Sequence, residues 1–215
     1  MNLLRLFYAA LIGVLMMAAW PVAARKAAPE YTAADGGYLV YSVGTIRIGM
    51  DFTFPYSRSA LSDGTSVDDW KGEIEPTTGG AWTLKIKNPD FSGFETGRVV
   101  IRRLPPGHYV ITDFGFGGSS PLGGSYAWSS GKPFTMDFDI RPGRATYIGS
   151  FMRSPTPKPE LRAQLGYAGY FLIADRSERD IPIARFKLAT LPDIDVQVTD
   201  VEKFGSAALR NHSLE

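Results

Sequence analysis

The sequence predicts a mainly β protein, an antiparallel β-sandwich of about eight strands with one short C-terminal helix. Glycine and proline supply 23 and 15 of the 215 residues, which provides turn signals along the whole chain. Between these signals, apolar and polar residues alternate, a pattern typical of half-buried strands. The strand-like segments are short and follow one another at similar intervals, which favours a sandwich or a partly open barrel.

In the first part of the chain, strands are predicted where apolar side chains recur at every second position. Residues 38–43 are rich in β-prone residues, and residues 46–54 alternate until Pro55, which we expect to end the strand. Residues 57–80 have the composition of a polar loop. A further strand is expected at residues 82–86, where apolar and polar side chains alternate again.

The middle of the chain predicts two strand pairs separated by a long loop. Residues 98–116 are expected to form a hairpin that turns at Pro105-Pro106-Gly107, because proline fixes one φ and glycine permits the next. Residues 115–131 are rich in glycine and serine and are interpreted as a loop. Residues 134–140 alternate, and a Pro-Gly turn leads into a strand at 146–152.

The last third mixes strand and helix signals. An apolar strand is predicted at residues 167–174, and alternation predicts a final strand at residues 194–198. Between them, Ser177 and Asp180 have the spacing of a helix capping box, with aspartate in place of the usual Glu or Gln. One face of that helix would be shared by Ile181, Ala184, Arg185 and Leu188. A strand over residues 181–185 is the alternative, because apolar residues also alternate there.

The N-terminus has the pattern of a secretory signal peptide. A short start with one arginine is followed by an uncharged apolar run over residues 6–20, and small residues precede a cleavage point after Ala24. The predicted organisation is a signal peptide at 1–24, a flexible lead at 25–36, the sandwich at 37–202 and a tail at 203–215. An uncleaved membrane anchor is the alternative, since 19 uncharged residues could just span a bilayer. Export to the periplasm or the extracellular space is expected.

Composition excludes several kinds of chemistry. The chain has no cysteine, so it has no disulfide, no thiol nucleophile and no acylated-cysteine anchor. Lysine and arginine number 23 against 22 acidic residues, without the basic excess typical of nucleic-acid binders. We expect no cofactor and no nucleic-acid partner.

Catalytic and metal-binding signals are weak. The two histidines are His108 and His212, and no Gly-x-Ser-x-Gly motif accompanies them. A hydrolase that uses His108 with an acid such as Asp113 is therefore kept only as an alternative. Asp137 and Asp139 lie two residues apart on one predicted strand face, and together with Asp113 they are weak candidates for calcium ligands.

Aromatic residues outside the alternating segments are the best binding candidates. Trp70 lies in one predicted polar loop, and Tyr126 and Trp128 lie in another. Aromatic side chains on the loops of a rigid sandwich often bind sugars, peptides or proteins, although they can also fold back over a core edge. Arg102 and Arg103, next to the predicted turn, could add an anion contact.

Two segments carry a resemblance. Residues 102–111, with Leu104-Pro105-Pro106-Gly107-His108-Tyr109, resemble the Leu-Pro-Pro-Gly-x-Tyr hairpin of carboxypeptidase-regulatory-like and transthyretin-like sandwich modules. Residues 138–149 resemble a pattern in uncharacterised bacterial exported and lipoprotein-like proteins. The resemblance implies a sandwich and no catalytic activity.

Together these observations predict a non-catalytic exported binding or structural module of the cell envelope. Its expected partner is an envelope protein or polysaccharide, contacted through the aromatic-bearing loops. The alternatives are the hydrolase that uses His108 and an accessory subunit anchored through an uncleaved N-terminal segment, which alone would bring membrane contact.

Overall fold

A computed structural model describes residues 31–46, 52–60, 70–76, 86–119, 125–129, 133–154 and 169–211. The side chains of residues 116–119 and 125–129 are not part of that description. The predicted signal peptide, the prolines at 155–159 and His212 also lie outside it. No helix within the described ranges has the length and apolar character needed to span a membrane.

The described residues form two sheets and one α-helix, which confirms the mainly β prediction. The first sheet contains β1 (Gly37–Ile46), β4 (Glu95–Leu104), β9 (Ala145–Ser154), β10 (Tyr170–Ala174), β11 (Ile194–Val196) and β12 (Leu209–Arg210). The second contains β2 (Phe52–Ala60), β3 (Lys71–Ile74), β5 (Gly107–Ile111), β6 (Gly115–Ser119), β7 (Ser125–Ser129) and β8 (Met136–Ile140). Helix α1 (Ser177–Lys187) follows β10, and a 3₁₀ turn, η1 (Glu202–Phe204), precedes β12.

Strand order places β1 inside the first sheet and β4 at its edge. The order is β12-β10-β9-β1-β4, with β11 paired to the beginning of β9. The second sheet has the order β7-β6-β2-β5-β8, with β3 on the other side of β2. The sandwich is mixed rather than wholly antiparallel, because β1 and β9, β10 and β12, and β9 and β11 run parallel.

The core lies between the two sheets and is dominated by aromatic rings. Phe54 of β2 lies 5.2 Å from Phe151 of β9 and 4.5 Å from Phe171 of β10, measured between ring centroids. All three side chains are buried, and their tilted and edge-to-face contacts are the geometries that aromatic pairs prefer. These inward-facing residues come from alternating positions, so the alternation in the sequence reports the buried faces of the sheets.

The predicted hairpin at residues 98–116 is wrong, because β4 and β5 belong to different sheets. The Pro105-Pro106 segment carries the chain from one sheet to the other. Gly107 follows with φ 151°, and a Cβ on it would lie 2.5 Å from the Ala60 carbonyl oxygen. The Tyr109 hydroxyl donates a 2.8 Å hydrogen bond back to the Pro105 carbonyl and holds this corner in place.

Several segments predicted as breaks or loops belong to the sheets. Pro55 lies within β2, between the part of the strand that pairs with β6 and the part that pairs with β5. Because neither pairing includes position 55, the backbone N–H that proline lacks is not needed there. Strand β3 lies in the predicted loop at 57–80. The predicted loop at 115–131 contains the antiparallel pair β6 and β7, since a glycine-rich strand has the composition of a loop. The expected tail at 203–215 includes β12, whose Leu209 is fully buried.

The helix is present, but the predicted capping box is not. Helix α1 begins at Ser177, and its N-cap residue Arg176 makes no side-chain capping bond. Pro182 lies inside the helix and not at its first position. Asp180, which would have been the reciprocal residue of the box, is fully buried against the outer face of the first sheet.

Candidate functional site

Trp70 covers an edge of the core. Its side chain is half-buried and packs against the main hydrophobic cluster, and its ring lies 5.8 Å from that of Tyr31 in an edge-to-face contact. Its carbonyl oxygen accepts a 2.8 Å hydrogen bond from the Arg58 backbone N–H. This arrangement matches the alternative in which the predicted loop aromatic folds back onto the protein.

Tyr126 and Trp128 are strand residues, so the prediction that they lie in a loop is wrong. They pair with Gly118 and Phe116 across the β6–β7 ladder. Their side chains fall outside the described part of the structure, so their role in binding stays a prediction.

Arg103 braces the segment that precedes β1. Its Nη2 donates a 2.8 Å hydrogen bond to the Ala33 carbonyl oxygen, and its guanidinium lies 5.8 Å from the centre of the Tyr38 ring. Residues 31–36, predicted as part of a flexible lead, are therefore held against the first sheet by this contact.

The histidine and aspartate candidates do not converge on a shared centre. His108 Nδ1 lies 2.9 Å from Asp139 Oδ1, across β5 and β8, and both side chains are well exposed. Asp113 instead accepts a 2.8 Å hydrogen bond from the Phe114 backbone N–H. The Ser59 hydroxyl donates to the His108 carbonyl oxygen and not to the ring. Asp137 is exposed on β8, and no three potential metal ligands cluster anywhere in the described ranges.

A groove runs beside the edge strand β4 and contains one of the predicted binding residues, Arg102. Its volume is about 340 Å³. The strand contributes the lining residues Arg98, Val99, Val100, Ile101 and Arg102, and the other described lining residues are Tyr41, Glu75 and Lys187. Of the two arginines predicted to contact anions, Arg102 therefore lies in the groove, whereas Arg103 braces the chain.

The backbone of β4 presents unpaired groups along this groove. The Val99 N–H donates to the Asp90 carboxylate at 2.8 Å, and the Lys187 ammonium donates to the Val99 carbonyl oxygen at 2.7 Å. Backbone groups of alternate residues point to the same side of a strand, so those of Ile101 and Arg103 also point away from β1. Within the described ranges, no hydrogen bond to these outward groups is present. Among the described residues, the edge is thus capped at Val99 and has no partner at Ile101 and Arg103.

The groove is cationic. The Nε of Arg98 is buried and has no hydrogen-bond partner among the described residues. Arg102 is hydrogen-bonded to the buried Tyr41 hydroxyl; burial raises the pKa of this phenol, and the neighbouring guanidinium offsets the rise only in part. Lys187 also lines the groove, but its ammonium is paired with the Asp90 carboxylate. Glu75 is the one carboxylate among the described lining residues. The geometry and the charge both favour an anionic ligand.

A buried polar network beneath α1 was missed by the sequence analysis. The Asp180 carboxylate accepts hydrogen bonds from Ser42 (2.6 Å), Tyr147 (2.7 Å) and Arg179 Nε (2.7 Å). Arg179 also pairs with Glu95 of β4. Burial, followed by the Asp180 charge, raises the pKa of Tyr147. The network fastens the helix to the sheet. The Ser177–Asp180 spacing predicted a capping role for Asp180, whereas its actual role is in this buried network.

Comparisons with family models, with curated proteins and with solved structures give no match for this chain.

Proposed function

We propose that this protein is a non-catalytic, exported module of the cell envelope that binds a partner protein or polymer in the groove beside β4. The observation that carries the proposal is a sheet edge at Ile101 and Arg103 that no described residue caps, next to a cationic groove. Natural proteins usually protect such edges, because unpaired N–H and C=O groups invite another chain to pair. Here the protection by Asp90 and Lys187 stops at Val99.

Export forms part of the proposal and is supported by the sequence of residues 1–24. Kinship with carboxypeptidase-regulatory-like or transthyretin-like modules is likewise proposed. It is supported by the Leu104–Tyr109 sequence motif alone, since in this chain the motif joins two sheets and does not close a hairpin.

The structure shifts the proposed contact away from the aromatic loops. Trp70 is engaged with the core edge and Tyr31, whereas Arg98 and Arg102 line an accessible groove. Binding therefore depends on the β4 edge in this proposal, and the aromatic residues at 126 and 128 keep only the role predicted from sequence.

Site-specific photocrosslinking in the native host tests the proposal. A photoreactive residue placed at Val100, an uncharged lining residue of the groove, should capture one defined envelope component. The same residue placed at exposed Asp137 of the second sheet is the matched control and should not capture it. Mass spectrometry of the recovered protein should find an N-terminus at Arg25. Equal capture from both positions, or no capture from position 100, would contradict the proposal.

A further inference from the structure

We infer that the groove beside β4 takes an extended acidic peptide, which adds as a further strand to the first sheet. This inference rests on the proposed function and specifies its partner. Strand addition uses main-chain hydrogen bonds for affinity and pockets for alternate side chains for specificity. Both requirements can be traced to named residues of β4.

The main-chain part of the site is short and has a defined register. The N–H and C=O groups of Ile101 and Arg103 face outward, because they share the direction of the Val99 groups that Asp90 and Lys187 occupy. Two such residues span about 7 Å of extended chain, so a segment of about four or five residues can pair with them. On the other side of Val99, Gly97 already pairs with Phe91, which limits the added strand to this stretch.

The side-chain part of the site explains the acidic preference. Alternate residues of β4 face opposite sides of the sheet: Val100 packs on the core between the sheets, whereas Val99 and Ile101 pack beneath the helix. Arg98 and Arg102 are each two residues from Val100, so they face the same side of the sheet as Val100 and line the groove there. In an added strand, every second side chain would enter this groove.

The positive charge of the groove favours an acidic occupant. Arg98 and Arg102 line the groove against one described carboxylate, whereas the third lining cation, Lys187, is already paired with Asp90. A carboxylate placed beside these two arginines would form the charge-assisted hydrogen bonds that guanidinium groups favour. A peptide with an acidic residue at every second position satisfies the backbone and the side-chain requirements together.

A direct binding assay on the mature protein tests this inference. The probe is a fluorescein-labelled heptapeptide of alternating glutamate and valine, followed by fluorescence anisotropy. We expect saturable binding that weakens with added salt, and no binding of the matching lysine and valine peptide. Arg98→Gln and Arg102→Gln should each weaken binding about tenfold or more. Arg141→Gln, which removes the same charge from an exposed site elsewhere, should not.

Backbone methylation separates strand addition from simple charge attraction. Methylating the amides of the valines alone, or of the glutamates alone, leaves side chains and charge unchanged. If the peptide pairs with the β4 edge, one set of methyl groups abolishes binding and the other leaves it intact, since alternate N–H groups face the edge. Equal affinity of both methylated peptides, or loss in both, would overturn the inference.

The remaining outcomes distinguish this inference from the proposed function. An acidic polysaccharide such as polygalacturonate that binds through Arg98 and Arg102, while the heptapeptide does not, overturns strand addition and leaves the groove as a binding site. If crosslinking from position 100 also captures nothing, the proposed function fails as well. Circular dichroism and thermal melting of each variant establish that it is folded before its binding is compared.

Discussion

The Ser42 hydroxyl of β1 donates a 2.6 Å hydrogen bond to the fully buried carboxylate of Asp180 on α1, a residue 138 positions further along the chain. The same oxygen of Asp180 accepts a bond from Tyr147 of β9. One carboxylate thus joins the helix to two neighbouring strands of the first sheet.

Asp180→Asn should destabilise the fold strongly. The change removes the charge that faces Arg179 inside a buried network, and breaking a buried ion pair typically costs about 3 kcal/mol or more. Urea unfolding followed by circular dichroism measures the loss. Glu178→Gln, in the same helical turn but exposed, is the matched control and should change stability little. Comparable losses in the two variants would contradict the assignment of Asp180 as the fastening residue.

The corner between β4 and β5 depends on one hydroxyl. Tyr109→Phe removes the buried hydrogen bond to the Pro105 carbonyl while keeping the ring, so we expect a loss of about 1 kcal/mol in the free energy of unfolding. Tyr31→Phe removes an exposed hydroxyl bond to Asp35 and serves as the control, with no measurable change expected. A Tyr109→Phe variant as stable as the parent would show that the corner is held by its prolines alone.

Glycine substitutions at two of the crossings between the sheets, β4 to β5 and β8 to β9, should differ in severity. Gly107→Ala places a Cβ 2.5 Å from the Ala60 carbonyl oxygen at φ 151°. We therefore expect a loss of about 3 kcal/mol, from strain and steric overlap together. Gly143→Ala has φ 65° but nothing within 4 Å of the new Cβ, so only the backbone strain of about 1 kcal/mol applies. Thermal melting of both variants gives the order, and a reversed order would contradict the crossing geometry.

Lowering the pH should weaken the hydrogen bond between Arg144 and Asp195, which lies beside the β9–β11 pairing. The hydrogen bond from Arg144 lowers the pKa of Asp195 below its value in the unfolded chain. The stabilisation is therefore present above the ordinary aspartate pKa of about 3.9 and is lost as the pH falls through the lower, folded value. Asp195→Asn should be less stable than the parent at neutral pH, and the two should converge in strong acid. A difference that does not shrink on acidification would refute this coupling.

The alternation in the sequence correctly predicted which residues face the core. In β8, Met136, Phe138 and Ile140 are buried, while Asp137 between them is exposed. That success has a local cause, since a strand with one buried face must place apolar residues at every second position. The strand at 98–104 was also found, as part of β4.

What the sequence could not supply was the arrangement of strands in space. A Pro-Pro-Gly segment has the same local composition whether it closes a hairpin or carries the chain between sheets, so the 98–116 hairpin was misassigned. The groove exists because β4 is an edge strand, which follows from the strand order. Asp180 acquires its role from Ser42 and Tyr147, whose distance in sequence hides the contact.

The position of β1 has a consequence for folding during synthesis on the ribosome. This early strand lies between β4 and β9, and its hydroxyl contact reaches α1, so two of its native partners leave the ribosome only in the second half of synthesis. Folds dominated by such distant pairings form slowly, because a long stretch of chain must be closed first. The first sheet can therefore close around β1 only after most of the chain has been synthesised.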